Sequence, residues 1–427
     1  MKYFLILLFL GQAIMAATVN YIEVKGVKIP LIFEEEKRLP IVSMQLVFKN
    51  AGTITDTPKT EGLAKISSKM MNEGTISLGS NGFATQLDQK AIQLGASVGT
   101  ETFVIECSSL KDQFDEGTHL FSSLLKEPNI TKKTLNKVKT DIIGTLSAKE
   151  NDFDFVADNA LKSILFEGTP LALPDLGTVA SVKKIKLTEV QAFLKQHLIL
   201  SNMIIVMGGD ITLEEAKKKA VMLASNLEVG KATSVKHYPT SGAQKEKILK
   251  RETQQAYLYF GSPYNLTAAD KENYKARVAT YILGTGGFGS RLMEEVRVKK
   301  GLAYSAYARV SISKSSSYMT GYLQTKLESL GDAKATVKSV FEDFVEDGVT
   351  QDELDQTKKF LLGSEPLRVE TLSQRLSRTF MEFYKGEELG HSEKELELIK
   401  NLKLSDLNDY IKKHKEILSL SYAVVTK

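Results

Sequence analysis

Cysteine and histidine are nearly absent from this sequence, and each scarcity closes off chemistry. The single cysteine, Cys107, excludes an internal disulfide. It ends the run Glu101–Cys107, which is β-branched and aromatic and predicts a strand. Cys107 then reads as a small apolar strand residue rather than a nucleophile. The five histidines, His119, His197, His237, His391 and His414, include no H-x-x-x-H pair. Net charge is scarce as well: +4 over 427 residues argues against a dedicated nucleic-acid footprint. Beyond residue 17 no stretch is long and apolar enough to span a bilayer.

What is present suffices for large cores. Hydrophobic residues make up 42% and charged residues 25%, the balance of an ordinary soluble chain, and the length predicts two to four domains. Residues 1–17 predict a signal peptide, with Lys2 ahead of the apolar run Tyr3–Leu10 and the small residues Ala13, Ala16 and Ala17 near a cleavage point. Ile14 breaks the small-residue pattern for a cut after Ala16, so an uncleaved anchor stands as the alternative. A cleaved segment predicts a periplasmic or secreted protein.

The chain repeats itself. Leu187-Thr188-Glu189-Val190 through His197 matches Leu404-Ser405-Asp406-Leu407 through His414, at an offset of 217 (404 − 187). Ile130-Thr131 through Leu135 matches Val349-Thr350 through Leu354, at 219 (349 − 130). Thr188, Ser405, Thr131 and Thr350 are each expected to cap an amphipathic helix. A repeat this long implies duplicated domains rather than a solenoid. The polar stretch 228–247, with Gly230, Pro239 and Gly242, reads as a linker between domains at 18–227 and 248–427. Val42–Phe48 and Gln255–Phe260 predict early strands of the two halves. Gly62–Met71 and Asp270–Leu283 predict helices.

The segment Glu61-Gly62-Leu63-Ala64-Lys65-Ile66-Ser67-Ser68-Lys69-Met70-Met71-Asn72-Glu73-Gly74-Thr75 resembles the motif segment of the pitrilysin/insulinase-type (M16) metallopeptidases, E-G-L-A-H-x-x-E-H-M-x-x-x-G-T. In that family the two histidines bind zinc and the glutamate activates a water. Here those positions are Lys65, Ser68 and Lys69. An ammonium has three donors and no lone pair, so it cannot ligate a cation. The family's further ligand, a glutamate about 75 residues on, falls near Gly144 or Thr145, neither a carboxylate. The resemblance therefore implies a zinc site without its ligands, and Lys65 and Lys69 as solvated helix lysines.

Two further segments carry weight. Gly284-Thr285-Gly286-Gly287-Phe288-Gly289 contains G-x-G-x-x-G, but a helical pattern precedes it where a dinucleotide fingerprint needs a strand, and there is no P-loop lysine. It reads as a flexible turn. With Ser290-Arg291-Leu292, Arg297 and Gly301-Leu302-Ala303-Tyr304 it resembles the same family's C-terminal segment, where an arginine and a tyrosine hold the substrate across a closed chamber. An arginine can grip a peptide carbonyl and a tyrosine can donate to a developing oxyanion. On spacing alone, Arg297 as a solvated helix residue and Tyr304 as a strand core residue remain open.

The resemblance spans nearly the whole mature chain. It implies an α+β fold of two duplicated domains, each a β-sheet with helices packed on one face, pairing into clam-like dimers. Some members are heterodimers in which one subunit carries zinc and the other the arginine–tyrosine pair. The expectation is a non-zinc subunit with no catalytic residue and no cofactor of its own, supplying Arg297 and Tyr304 to a zinc-bearing partner that acts on peptides. The rivals are an active zinc peptidase with unrecognised ligands and a non-enzymatic peptide-binding or scaffold protein.

Overall fold

The computed structural model describes residues 17–427; the expected signal peptide otherwise lies outside them. Two sheets organise the chain. The first runs β1 (Thr18–Val24), β2 (Val27–Glu35), β3 (Ile41–Lys49), β4 (Gln93–Val98), β5 (Thr102–Leu110) and β6 (Met203–Gly209), in spatial order β1-β2-β6-β3-β5-β4. The second has β7 (Glu246–Lys250), β8 (Gln255–Pro263), β9 (Ala303–Ile312), β10 (Ser317–Lys326) and β11 (Ser421–Thr426), in order β7-β11-β8-β10-β9. Without β1 the two orders are the same, including one parallel pair in each, β2 with β6 and β7 with β11. The duplication read from the offsets is thus a duplication of topology. β7 opens at Glu246, two residues inside the stretch read as linker.

Alternation along the strands decides what faces where. Val42, Met44, Leu46 and Phe48 of β3 and Phe103, Ile105 and Cys107 of β5 face a core formed with helices of the first half. Leu258, Phe260, Met319 and Leu323 do the same in the second. Cys107 is fully buried, and burial pushes its thiol up to about 12.

The other face of each sheet receives a helix from the opposite half. The helix Phe153–Leu165 packs Ala160, Leu161 and Leu165 against Ala423 of β11 and Tyr259 of β8. The helix Leu372–Lys385 packs Leu376 and Tyr384 against Ile32, Ile204 and Val206 of β2 and β6. These helices begin 219 residues apart (372 − 153), so they are counterparts in the repeat. Glycines permit the close approach: a Cβ at Gly208 would lie 2.9 Å from a Leu376 methyl, and one at Gly261 2.8 Å from a Leu165 methyl. A buried ion pair holds the second exchange, with Arg375 Nε donating to Glu34 Oε1 at 2.7 Å.

Two of the four expected caps are in place. Thr131 and Thr350 accept from the third N–H of their helices and form capping boxes. Thr188 and Ser405 do not cap, because their helices open earlier, at Leu187 and Leu404. In the first of these the Glu189 carboxylate accepts from the N–H of the N-cap residue Lys186 at 2.6 Å, the half of a capping box that a glutamate supplies.

Candidate functional site

The motif frame lies on the helix Leu63–Met71, entered through Gly62 at φ +88°. Asp56 secures its start, accepting from the N–H groups of Gly62 at 3.0 Å and Ala64 at 3.1 Å. Burial pushes the Asp56 carboxyl up to about 7 against the pull of those two bonds. Ser68 is buried and its Oγ donates to the Lys65 carbonyl at 3.0 Å, a bond internal to the helix. Lys65 is half-buried and Lys69 exposed. Gly144 and Thr145 stand exposed on the helix Lys132–Lys149, and the Thr145 hydroxyl donates to the Asp141 carbonyl. This donor set does not fit a zinc ion. Among the described residues no group of three or more His, Cys, Asp or Glu side chains is placed to hold a metal.

The end of the frame is bonded to its surroundings. The Asn72 side-chain amide meets the backbone of Ala96 in both directions, Nδ2 donating to the carbonyl at 2.9 Å and Oδ1 accepting from the N–H at 2.6 Å. β4 is an edge strand, and these are the two bonds an added strand would make with that residue. A peptide adding to this edge therefore finds it closed at Ala96. Glu73, also buried, accepts from Lys137 Nζ at 2.9 Å and from Ser80 Oγ at 2.6 Å.

The second candidate site is in the other half. Two π-helical turns, Tyr281–Thr285 and Glu294–Lys299, bracket the glycine turn. The helix Asn273–Thr280 precedes the first of them, so the strand required by a dinucleotide fingerprint is missing. Arg291 is an anchor: Nε and Nη2 grip both Glu353 oxygens at 2.6 and 2.9 Å, and Nη2 also donates to the Gly348 carbonyl. Arg297 has no such role. Its guanidinium carbon lies 4.3 Å from the Tyr304 ring centroid and 4.6 Å from that of Phe288. Among the described residues, neither this guanidinium nor the Tyr304 hydroxyl has a hydrogen-bond or ion-pair partner.

A β-bulge aims Tyr304. Ala303 pairs with Thr325 and Ala306 with Leu323, so Tyr304 and Ser305 together stand opposite Gln324. The extra residue lets Ala303 and Ala306 both face the core and leaves Tyr304 81% exposed. The strand-core alternative for Tyr304 does not hold. Phe288, 66% exposed, completes an aromatic–guanidinium–aromatic stack that sequence reasoning missed. The available signal was a large aromatic set alone among glycines.

Comparison with known proteins follows the same division into halves. The family description "Insulinase (Peptidase family M16)" matches residues 32–179, and "Peptidase M16 inactive domain" matches residues 184–361. The chain is 42% identical to the "Non-peptidase homolog YmxG" of Helicobacter pylori, over 100% of this chain and 99% of that protein. It is 24% identical to the "Uncharacterized zinc protease YmxG" of Bacillus subtilis, over 78% of this chain and 80% of the relative. Its fold is like that of the "peptidase M16 inactive domain" from Pseudomonas fluorescens, with a TM-score of 0.87 at 22% identity, covering 96% of this chain and 98% of the other. The chain belongs to the insulinase-type peptidase family M16, with lysines and a serine where the family's zinc motif stands.

Proposed function

We propose that this protein is the non-zinc subunit of a heteromeric M16-type peptidase, exported to the periplasm or secreted, and that Arg297 and Tyr304 hold peptide substrate at a zinc site carried by a partner subunit. The observation that carries this reading is the Arg297 stack. Its guanidinium is oriented by Phe288 and Tyr304, yet its donors are unspent, and the Tyr304 hydroxyl is open to solvent. Each ring contributes about 0.5–1 kcal/mol of cation–π attraction at an exposed site, enough to pre-orient a side chain without consuming its hydrogen bonds. The apolar run at the N-terminus supports export. Asn72 on the β4 edge supports placing the peptide strand on the partner instead of on this chain.

The test is reconstitution. The chain is purified with an H-x-x-E-H-bearing M16 subunit from the same cells, and cleavage of an unfolded peptide is measured for each subunit alone and together. Only the pair should cleave. Arg297→Ala should lower kcat/KM by about a hundredfold, the scale of losing a donor to developing charge, without releasing the partner. Full activity of the Arg297→Ala pair would sink the trans-site reading. Peptide binding with no cleavage in any combination would favour the scaffold reading, consistent with the name of the Helicobacter relative.

A further inference from the structure

A cavity of about 560 Å³ beside the glycine turn plays no part in that reading. Arg277, Arg368, Tyr281, Phe360, Gly286 and Gly287 line it. One wall is a stacked pair, the rings of Tyr281 and Phe360 lying 5.0 Å apart at 29°. The two cations arrive from separate elements, Arg277 from the helix Asn273–Thr280 and Arg368 from the short 3₁₀ turn Glu365–Arg368.

Those cations are poorly neutralised. The carboxylate nearest Arg277 is Glu365 at 3.9 Å, beyond hydrogen-bond reach. Glu365 is held more closely by Arg378. Glu395 attracts Arg277 from further off, and Glu393 reaches only Arg378, at 3.7 Å. Arg368 is exposed and has no ion-pair partner among the described residues. Burial first, then the repulsion of Arg368, holds the Arg277 pKa below its ordinary value. Two guanidiniums therefore face one cavity with their donors largely free, beside an aromatic wall. A ligand oxyanion would accept from both, while an apolar or aromatic body covered the ring pair. The cavity has the size of a small-molecule site. It differs from the phosphate loop excluded by the sequence, because its cations come from outside the glycine turn and none is a lysine.

We propose that this cavity binds a small ligand bearing an oxyanion, a carboxylate or a phosphate, gripped by Arg277 and Arg368 with its apolar or aromatic part against Tyr281 and Phe360. The proposal stands independently of the subunit reading. It is tested on the purified chain by titration calorimetry with N-acetylphenylalanine, phenyl phosphate and the neutral N-acetylphenylalaninamide. At least one anion should bind. The amide should bind at least tenfold more weakly, and added salt should weaken the anion. The stronger of the two anions identifies carboxylate or phosphate as the chemistry recognised. Arg368→Gln, at an exposed position with no structural partner, should lower anion affinity at least tenfold, and Phe360→Ala several-fold. No anion binding at millimolar concentration, equal binding of acid and amide, or unchanged affinity in Arg368→Gln would each overturn the proposal.

Discussion

Arg375 is the side chain on which the exchange of helices can be tested most directly. It is 8% exposed and Glu34 4%, and they join a helix of the second half to a strand of the first. The guanidinium also donates to Glu36 at 3.1 Å and to the carbonyls of Val369 at 3.0 Å and Glu370 at 2.9 Å. Arg375→Met keeps much of the volume and removes the charge, leaving the Glu34 carboxylate buried without its hydrogen-bonded counterion and with only the weaker attraction of Arg38. Removing one partner of a buried pair costs about 3–5 kcal/mol. With a urea slope of about 3 kcal/mol/M this moves the midpoint down by about 1–1.7 M. The double variant Glu34→Leu with Arg375→Met removes both charges and should recover about 1–3 kcal/mol of the loss. The remainder reflects the two carbonyls left without a donor, about 1 kcal/mol each.

The pH dependence gives a second reading of the same site. Burial already holds the Glu34 pKa above the ordinary carboxylate value despite Arg375, and loss of the guanidinium raises it further. An acid whose folded value is raised favours the folded state fully below its unfolded value of about 4.3, and that support is lost as pH rises through the folded value. The deficit of Arg375→Met relative to the parent should therefore be smallest near pH 4 and widen toward neutrality. A single variant costing under about 1 kcal/mol at pH 7, a double variant as unstable as the single, or a gap that widens on acidification would refute the account.

Two other perturbations follow from the geometry. Asn72→Ala should free the β4 edge at Ala96 and speed exchange of that amide about tenfold, the equivalent of a hydrogen bond worth about 1.4 kcal/mol; unchanged exchange by NMR or mass spectrometry would mean that Asn72 does not guard the edge. Because burial pushes the Cys107 thiol up to about 12, iodoacetamide at pH 8 should leave the folded chain unlabelled and modify it only as it unfolds in urea. Rapid labelling of the native chain would show that β5 opens locally.

The duplication was legible because two matches shared nearly one offset, and an insertion between them would have broken it. The early strands and the motif helix were legible from alternation and helical period. The exchange of helices was not. An amphipathic pattern says that a helix buries a stripe and is silent on which sheet receives it. Thr188 and Ser405 misled because a hydroxyl near a helix start marks a cap only when it precedes the first helical residue, and here each is the second. The exposure of Tyr304 depends on a bulge, and a bulge is set by the register of the partner strand, which the segment around Tyr304 does not contain. The role of Asn72 depends on Ala96, 24 residues away, and no local pattern connects them.

What separates the two halves chemically is where hydrogen-bonding capacity remains free. In the first half the frame that would carry a zinc site has its polar groups bonded to their surroundings. Ser68 is bonded within its own helix, Asn72 to the β4 edge, and Glu73 to Lys137 and Ser80. The ammonium groups of Lys65 and Lys69 present only donors and no lone pair, so they cannot bind a cation. In the second half the reverse holds. Arg291 is spent on Glu353, which steadies the segment, while six residues on Arg297 is steadied by two rings and keeps every donor. Aromatic stacking orients a guanidinium without satisfying its donors. A side chain that is pre-oriented, unsatisfied and open to solvent has paid its ordering entropy before any ligand arrives. That asymmetry, more than the loss of the metal ligands, is the physical ground for looking to a partner: hydrogen-bonding capacity is used up around the motif frame and left open around Arg297.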